Sequence, residues 1–454
     1  MTRALPRLIV GALALSGCNE NHPAPTTAAP PGMRDGAVAV SRPVRAVGEA
    51  TPLSQAEFAT NEGELALANL SSQLDGQEAV KQKSKSVDPD ASLAMLHVLR
   101  AQMTGSVADL KEAQKLADEL VKAKPKAALS WHAHALVMKA LHRFDDATHD
   151  FDQAVKLGEA PNTLIRERMS MDQVRGRNEE AVFAYRKDEA KQFPTIENLG
   201  AYAIVLGDRG DIAGAKKSFA AAQAAYRDVS PFPFTTLYFN EGYLEQRSGS
   251  PARARELFSA AHERLPGNRQ VIAHLASVLA VTGDKAKAIA LLEPLVAVDD
   301  PEYEGQLAAL LADTDKDRAA KLRADASMRY EALLKDMKLT YADHAARFYL
   351  STNDPLDAKK ALELAKANMA NRPTLDAQRL TVDAAIAAGD SKLACATADL
   401  ITKRRYVPPE AHVTASRAFS ACGQKARADK EIAAMSAAAP SVTPSAAPAV
   451  DAGQ

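Results

Sequence analysis

Gly176, Gly210, Gly249, Gly283, Gly389 and Gly423 recur at intervals of 34, 39, 34, 106 and 34 residues, each among similarly placed small and aromatic side chains. No other feature constrains the fold as tightly. A period in this range is the length of one helical hairpin, which cannot bury its apolar face alone, so successive units must stack around a shared core. A glycine repeated at one place marks where each first helix stops, because a left-handed residue costs least there. The chain is therefore expected to be all-α. Apolar residues make up 46% of it and aromatics only 5%, a balance suited to closely packed helices. With 454 residues it could hold several compact domains, but a solenoid grows along one axis and one long domain suffices. Its 56 basic and 57 acidic residues leave a formal net charge of −1, so no global field draws in nucleic acid or an anionic membrane.

The first residues read as an address. Arg3 and Arg7 precede an apolar run from Leu8 to Leu15, too short to span a bilayer and right for a secretory signal. The run closes on Leu15-Ser16-Gly17-Cys18, which resembles the bacterial lipoprotein box. That resemblance implies a signal peptide over 1–17, lipidation at Cys18 and a membrane anchor through its acyl chains. Asn19 after the cysteine implies, by the sorting rule of such lipoproteins, outer-membrane delivery, facing the periplasm. Residues 18–52 carry the cysteine and a tether rich in Pro and Ala, and 53–90 are expected to be N-terminal capping helices with Phe58, Leu65, Leu67, Leu70 and Leu74 as their apolar set. The Ala/Pro/Ser tail 435–454 lacks apolar spacing and is expected to be disordered.

Between these ends the units fall into register. A unit starting at Ala128 places Trp131 fourth, Ala135 eighth, Ala147 twentieth, Phe151 twenty-fourth and Ala154 twenty-seventh. Small residues at eight and twenty let the two helices approach, and the aromatic fills the gap beside them. Units from Asn162, Ile196, Thr235 and Arg269 supply Ala181/Tyr185, Ala215/Phe219/Ala222, Ala254/Phe258/Ala261 and Ala288/Leu292, and weaker copies begin at Ala94, Ala342, Leu375 and Pro409. The pattern resembles the tetratricopeptide repeat. The resemblance implies a right-handed solenoid of about nine to ten helix-turn-helix units over 91–434, with a degenerate unit near 302–341 that has no glycine turn and an extended second helix.

Cys395 and Cys422 fall on neighbouring elements in this register and are expected to bridge. Closing their loop would contribute on the order of 3 kcal/mol, the alternative being two buried thiols. His132, His134, His142 and His149 form the densest titratable group, but a two-residue spacing sends His132 and His134 to opposite sides of one helix, so they cannot share a metal. The chain has no HExxH, CxxC, P-loop, dinucleotide or nucleophile-elbow motif. No cofactor, metal or catalytic residue is expected, and the chain is read as no enzyme.

A binding surface remains. In proteins similar to this one the first helices line a concave groove, and positions two, five, six, nine, twelve and thirteen face it. The Thr235 unit offers Phe239, Asn240, Tyr243, Gln246 and Arg247, preceded by Pro231-Phe232-Pro233-Phe234; Arg166, Ser170 and Gln173 come from the Asn162 unit, and His132 and Lys139 from the one before. Exposed aromatics beside an arginine and amides are what interface hot spots favour. The family's two-carboxylate clamp is not matched: Asn240 fits one element, whereas Phe239, Tyr243, Gln270 and His274 stand where its other residues would be needed. The expected function is a membrane-anchored scaffold or assembly factor that holds a protein or extended peptide in the cell envelope. Two alternatives are a glycan-binding module that stacks sugars on Phe239 and Tyr243, and a metal-handling or enzymatic protein built on the His132–His149 group.

Overall fold

The computed structural model describes residues 59–84 and 86–438. The signal segment, Cys18, the tether, Phe58 and residues 439–454 of the tail lie outside them. Twenty-one α-helices and two short 3-10 turns make up the described residues, with no strand among them. α1 (Gly63–Lys81) is single, and the other twenty helices form ten hairpins. These are α2 (Asp88–Thr104) with α3 (Val107–Ala123), α4 (Ala128–Ala140) with α5 (Phe144–Lys156), α6 (Ile165–Arg175) with α7 (Glu179–Gln192), and α8 (Ile196–Asp208) with α9 (Ile212–Ala225). Then come α10 (Phe232–Arg247) with α11 (Pro251–Arg264), α12 (Arg269–Val281) with α13 (Lys285–Leu292), and α14 (Glu302–Leu311) with α15 (Lys316–Asp336). The last three pairs are α16 (Lys338–Ser351) with α17 (Pro355–Asn371), α18 (Leu375–Ala387) with α19 (Ser391–Thr402), and α20 (Pro409–Ala421) with α21 (Lys425–Ala438). First helices also pack on first helices, α2 on α4, α8 on α10, α16 on α18 and α18 on α20. The architecture is an all-α helical-repeat solenoid.

Local chemistry sets the boundaries. Ser106, Thr195, Asp211, Asn268, Asp315 and Asp390 each accept a backbone N–H in the first turn of the helix that follows, satisfying donors a helix start leaves open. All six glycines of the repeat have positive φ, His142 and Asn353 take that conformation at turns without one, and Asn178 takes it beside Gly176. Inside the hairpins Ala135, Ala147, Phe151, Ala154, Ala215, Phe219, Ala222, Ala254, Phe258 and Ala261 are all 0% exposed, so the small and aromatic positions do carry the packing.

Three details differ from the sequence reading. Among the described residues the 53–90 segment holds one helix, α1, and its last residues already belong to α2. The tail begins later, since α21 runs to Ala438 and Met435 is fully buried. In the third hairpin the register is displaced by one: Ala181 is exposed, while Val182 and Arg186 are buried. A 3-10 turn over Pro161–Leu164 and a second left-handed residue, Asn178, absorb the extra residue. Arg186 therefore sits where other units place an aromatic, bonded to Gln173 at 2.9 Å and Glu189 at 2.9 Å. The apolar core divides there. One cluster gathers residues 196–322, and a second unites the N-terminal hairpins with the C-terminal ones, from Leu141, Phe144 and Met171 to Tyr341, Ala345 and Leu375.

That union reflects a solenoid closed on itself. Thr340 Oγ1 donates to the Leu141 carbonyl at 2.8 Å, Asn371 Nδ2 to the His142 carbonyl at 2.8 Å, and Arg175 Nε to the Asn371 carbonyl at 3.3 Å. Further along, Arg404 meets Glu179 at 3.1 Å and Arg405 meets Glu180 at 3.4 Å. Tyr406 lies against Gly210, whose φ is +85°; a Cβ there would lie 2.7 Å from the tyrosine ring. At the other end Arg269 donates to the Gly105 carbonyl at 3.3 Å, and the Ala108 N–H donates to Asp299 at 2.7 Å. α1 approaches so closely that a Cβ at Gly63 would lie 2.5 Å from the Arg264 carbonyl oxygen.

Candidate functional site: a lumen inside the closed solenoid

Closure turns an open groove into a lumen of about 400 Å³, within the usual range for ligand pockets. One wall comes from the N-terminal and middle first helices and mixes apolar side chains, Met95, Leu99, Leu136, Ile204, Phe239 and Val271, with polar and charged ones such as Gln102, Lys139, Gln173, Asn240 and Arg247. The other comes from α16, α17 and α18 and the loop before α20. It is charged, with Asp343, Arg347, Arg372, Asp376, Arg404 and Tyr406.

Of the groove residues expected from sequence, Phe239, Asn240, Tyr243, Arg247, Gln173, Lys139 and Ser170 line this lumen, and His132, Arg166 and Gln246 do not. Position along the helix explains part of the division. Lys139 and Gln173 lie late in their first helices and reach the lumen, whereas His132 and Arg166 lie early. His132 faces Glu159 at 3.4 Å and Arg166 pairs with Glu189 at 2.6 Å. Ser170 is fully buried and Lys139 is paired with Glu167.

The aromatic pair needs correction. Phe239 is 9% exposed, its ring 5.7 Å from Phe258 and edge-on to His274 at 4.9 Å, so stacking of the hairpins covers most of what was expected to be an open anchor. The Tyr243 hydroxyl donates to Asp376 at 2.8 Å across the lumen. Arg247 lies 5.4 Å from the Tyr243 ring centroid, 3.2 Å from Asp208 and 4.0 Å from Glu410. Neither aromatic stands free as a platform for sugars.

Burial and charge act together here. Burial would raise the Asp376 carboxyl, but Arg247, Arg379 and Arg347 outweigh it and hold it below the ordinary range. Asp343 behaves alike: burial opposes its charge, yet Arg372, hydrogen-bonded at 2.7 Å, and His344 hold it well below that range. His142 lacks such a rescue. Burial, aided by Arg372, lowers it to about 3, so it is neutral at ordinary pH.

The histidine group forms no metal centre. His134 lies 2.6 Å from Asp150 and 2.9 Å from Asp118, His149 is 3.1 Å from Asp150, and His142 is apart in the lumen wall. Among the described residues no cluster of His, Cys, Asp and Glu is arranged to hold a metal ion, and no helix is long and apolar enough to cross a membrane. Cys395 and Cys422 meet between α19 and α20 with Cα atoms 6.5 Å apart, inside the reach of a disulfide.

Arg347, Asp376 and Arg379 escaped the sequence reading, although the signal was there. In the units starting at Ala342 and Leu375, Arg347 stands sixth, Asp376 second and Arg379 fifth, three of the groove-facing positions named above.

The fold and lumen define a helical-repeat protein with an internal channel. Residues 246–314 match the tetratricopeptide-repeat family model, a stretch running from the end of α10 through α14. No curated protein matches the chain. Solved structures with some likeness include Naa15/Naa10 bound to HypK-THB, 16% identical over 83% of this chain with a TM-score of 0.27. The APC/C hetero-tetramer Cut9-Hcn1 is 11% identical, with 77% of this chain and 67% of that one covered and a TM-score of 0.39. Yeast Tom70 is 14% identical, with 84% and 99% covered and a TM-score of 0.30. The chain spans 64% of the length of the Naa15/Naa10 chain it matches. Likenesses this distant bear on neither partner nor activity.

Proposed function

We propose that this chain is an envelope scaffold, anchored through lipid on Cys18, that holds an extended segment of a protein partner inside its lumen. The observation that carries the reading is the lumen itself: a channel of about 400 Å³ lined by apolar side chains beside amides and charged groups, suited to a chain that buries some side chains and hydrogen-bonds through others. Anchoring raises the local concentration of scaffold at the membrane, so that a shallow set of contacts suffices. Binding in place of catalysis follows from the way the titratable groups are used. Lumen carboxylates and guanidiniums largely neutralise one another, and three of the four histidines between 132 and 149 face carboxylates of their own.

Photocrosslinking in native membranes tests this. A photoreactive residue at Asn240, in the lumen, is expected to attach one partner segment, and the same residue at Leu356, 69% exposed, is not. Equal labelling from both positions, or none from Asn240, would contradict a lumen site. Radiolabelled palmitate should enter the wild-type protein and not Cys18→Ser.

A further inference from the structure

Most charged side chains around the lumen are bonded to one another, and Arg347, which makes no such bond, identifies what the wall would recognise. Arg372 bonds Asp343 at 2.7 Å, Arg379 bonds Glu410 at 2.8 Å, Arg247 bonds Asp208 at 3.2 Å, and Arg404 meets Glu179 at 3.1 Å. Asp376 accepts from Tyr243. Arg347, on α16 and half-buried in the same wall, makes no hydrogen bond or ion pair among the described residues, and its Nε is enclosed without a partner. Asp343 and Asp376 feel its charge from a distance; each is bonded elsewhere through one oxygen, to Arg372 and Tyr243, and keeps its Oδ1 without a hydrogen-bond partner among the described residues. A guanidinium held in a partly desolvated channel without a partner is costly, and its planar fork matches a carboxylate in two parallel hydrogen bonds. The N-terminal and middle helices offer apolar side chains to the lumen, Met95, Leu99, Leu136 and Val271, among polar ones.

We propose that Arg347 is a docking point for a carboxylate carried by the bound segment. The ligand class is an extended stretch of a partner protein in which an Asp or Glu side chain meets Arg347 while apolar neighbours lie on the opposite wall. This rests on the lumen reading above and goes further by naming the chemistry of the occupant. No lumen hydrogen bond is lost when Arg347 is replaced, and Asp376 and Asp343 keep Arg247, Arg379 and Arg372 as countercharges.

The test uses the full chain and two pools of randomised decapeptides, one with Glu fixed at a single position and one with Gln there, read by retention on immobilised protein and sequencing of the retained peptides. The wild type is expected to retain the Glu pool about tenfold better than the Gln pool. Arg347→Gln should abolish that preference while keeping its grip on the Gln pool and a cooperative unfolding transition, and Arg347→Lys should restore part of it. Equal retention of the two pools by the wild type, or a preference that survives Arg347→Gln, would overturn the carboxylate site and leave the lumen reading standing. Retention of neither pool would overturn both.

Discussion

The hairpins of this molecule meet in two ways. Neighbours in sequence stack through alanines and phenylalanines with no exposed surface, such as Ala254, Phe258 and Ala261. Distant hairpins meet at the closure, where a shared apolar cluster is edged by hydrogen bonds to carbonyls and by ion pairs. Stacking contacts are short-range in sequence and sum along the solenoid. Closure contacts are fewer and more polar, so the second set, which bounds the lumen, should yield before the first. The segment proposed to enter the lumen would need such a difference, since contacts that open are drawn from the less stable end of a structure.

The comparison can be broken or sharpened experimentally. The largest effect is expected from Phe258→Ala, a void in the stack: about 3–5 kcal/mol lost in chemical denaturation. A value near zero would mean that stacking does not dominate. Reducing the Cys395–Cys422 pair should cost on the order of 3 kcal/mol, confined to the last two hairpins and visible as faster hydrogen exchange in α19–α21 with the lumen unaffected. Acid should act on the closure through His142, held neutral beside Arg372, Asp343 and His344. Its folded pKa lies near 3 against an ordinary 6.5, so the unfolded chain takes up a proton that the folded one refuses. Stability is complete above about 6.5 and falls toward 3, by up to about 1.4 kcal/mol per pH unit. His142→Asn, which tolerates the positive φ, should flatten that slope. Asn371→Ala, leaving the His142 carbonyl unpaired, should cost about 1–3 kcal/mol and speed exchange in α16–α18. Least of all, Glu179→Gln should cost under about 1 kcal/mol, and less still in high salt, because its ion pair is exposed.

The stack was legible in the sequence because it is local. Gly176, Gly210, Gly249, Gly283, Gly389 and Gly423 answer a backbone requirement within one hairpin, and Ala147/Phe151 or Ala215/Phe219 answer a steric one between adjacent helices. The gap from Gly283 to Gly389 had no such punctuation, since Asn353 serves at one of those turns. Arg186 broke the aromatic rule by bringing its own partners into the core. The closure was not legible. Its contacts join residues 133 to 229 apart, as in Tyr243–Asp376 and Asn371–His142, and no periodicity marks such a pairing. Hence nothing in the repeat pattern points to the charged wall opposite Tyr243, whereas Phe239 is covered by the local stack against Phe258 and His274.

The central claim is that hairpins far apart in sequence meet to enclose the lumen, and the most direct measurement is a chemical crosslink across that meeting. In the otherwise native chain, Glu179→Cys combined with Arg404→Cys replaces side chains that touch at 3.1 Å. A short bis-thiol reagent should then join the two peptides within one molecule in high yield, as mapped by mass spectrometry after proteolysis. A double variant that folds normally and gives no intramolecular product would show the solenoid to be open, and the lumen account would fall with it.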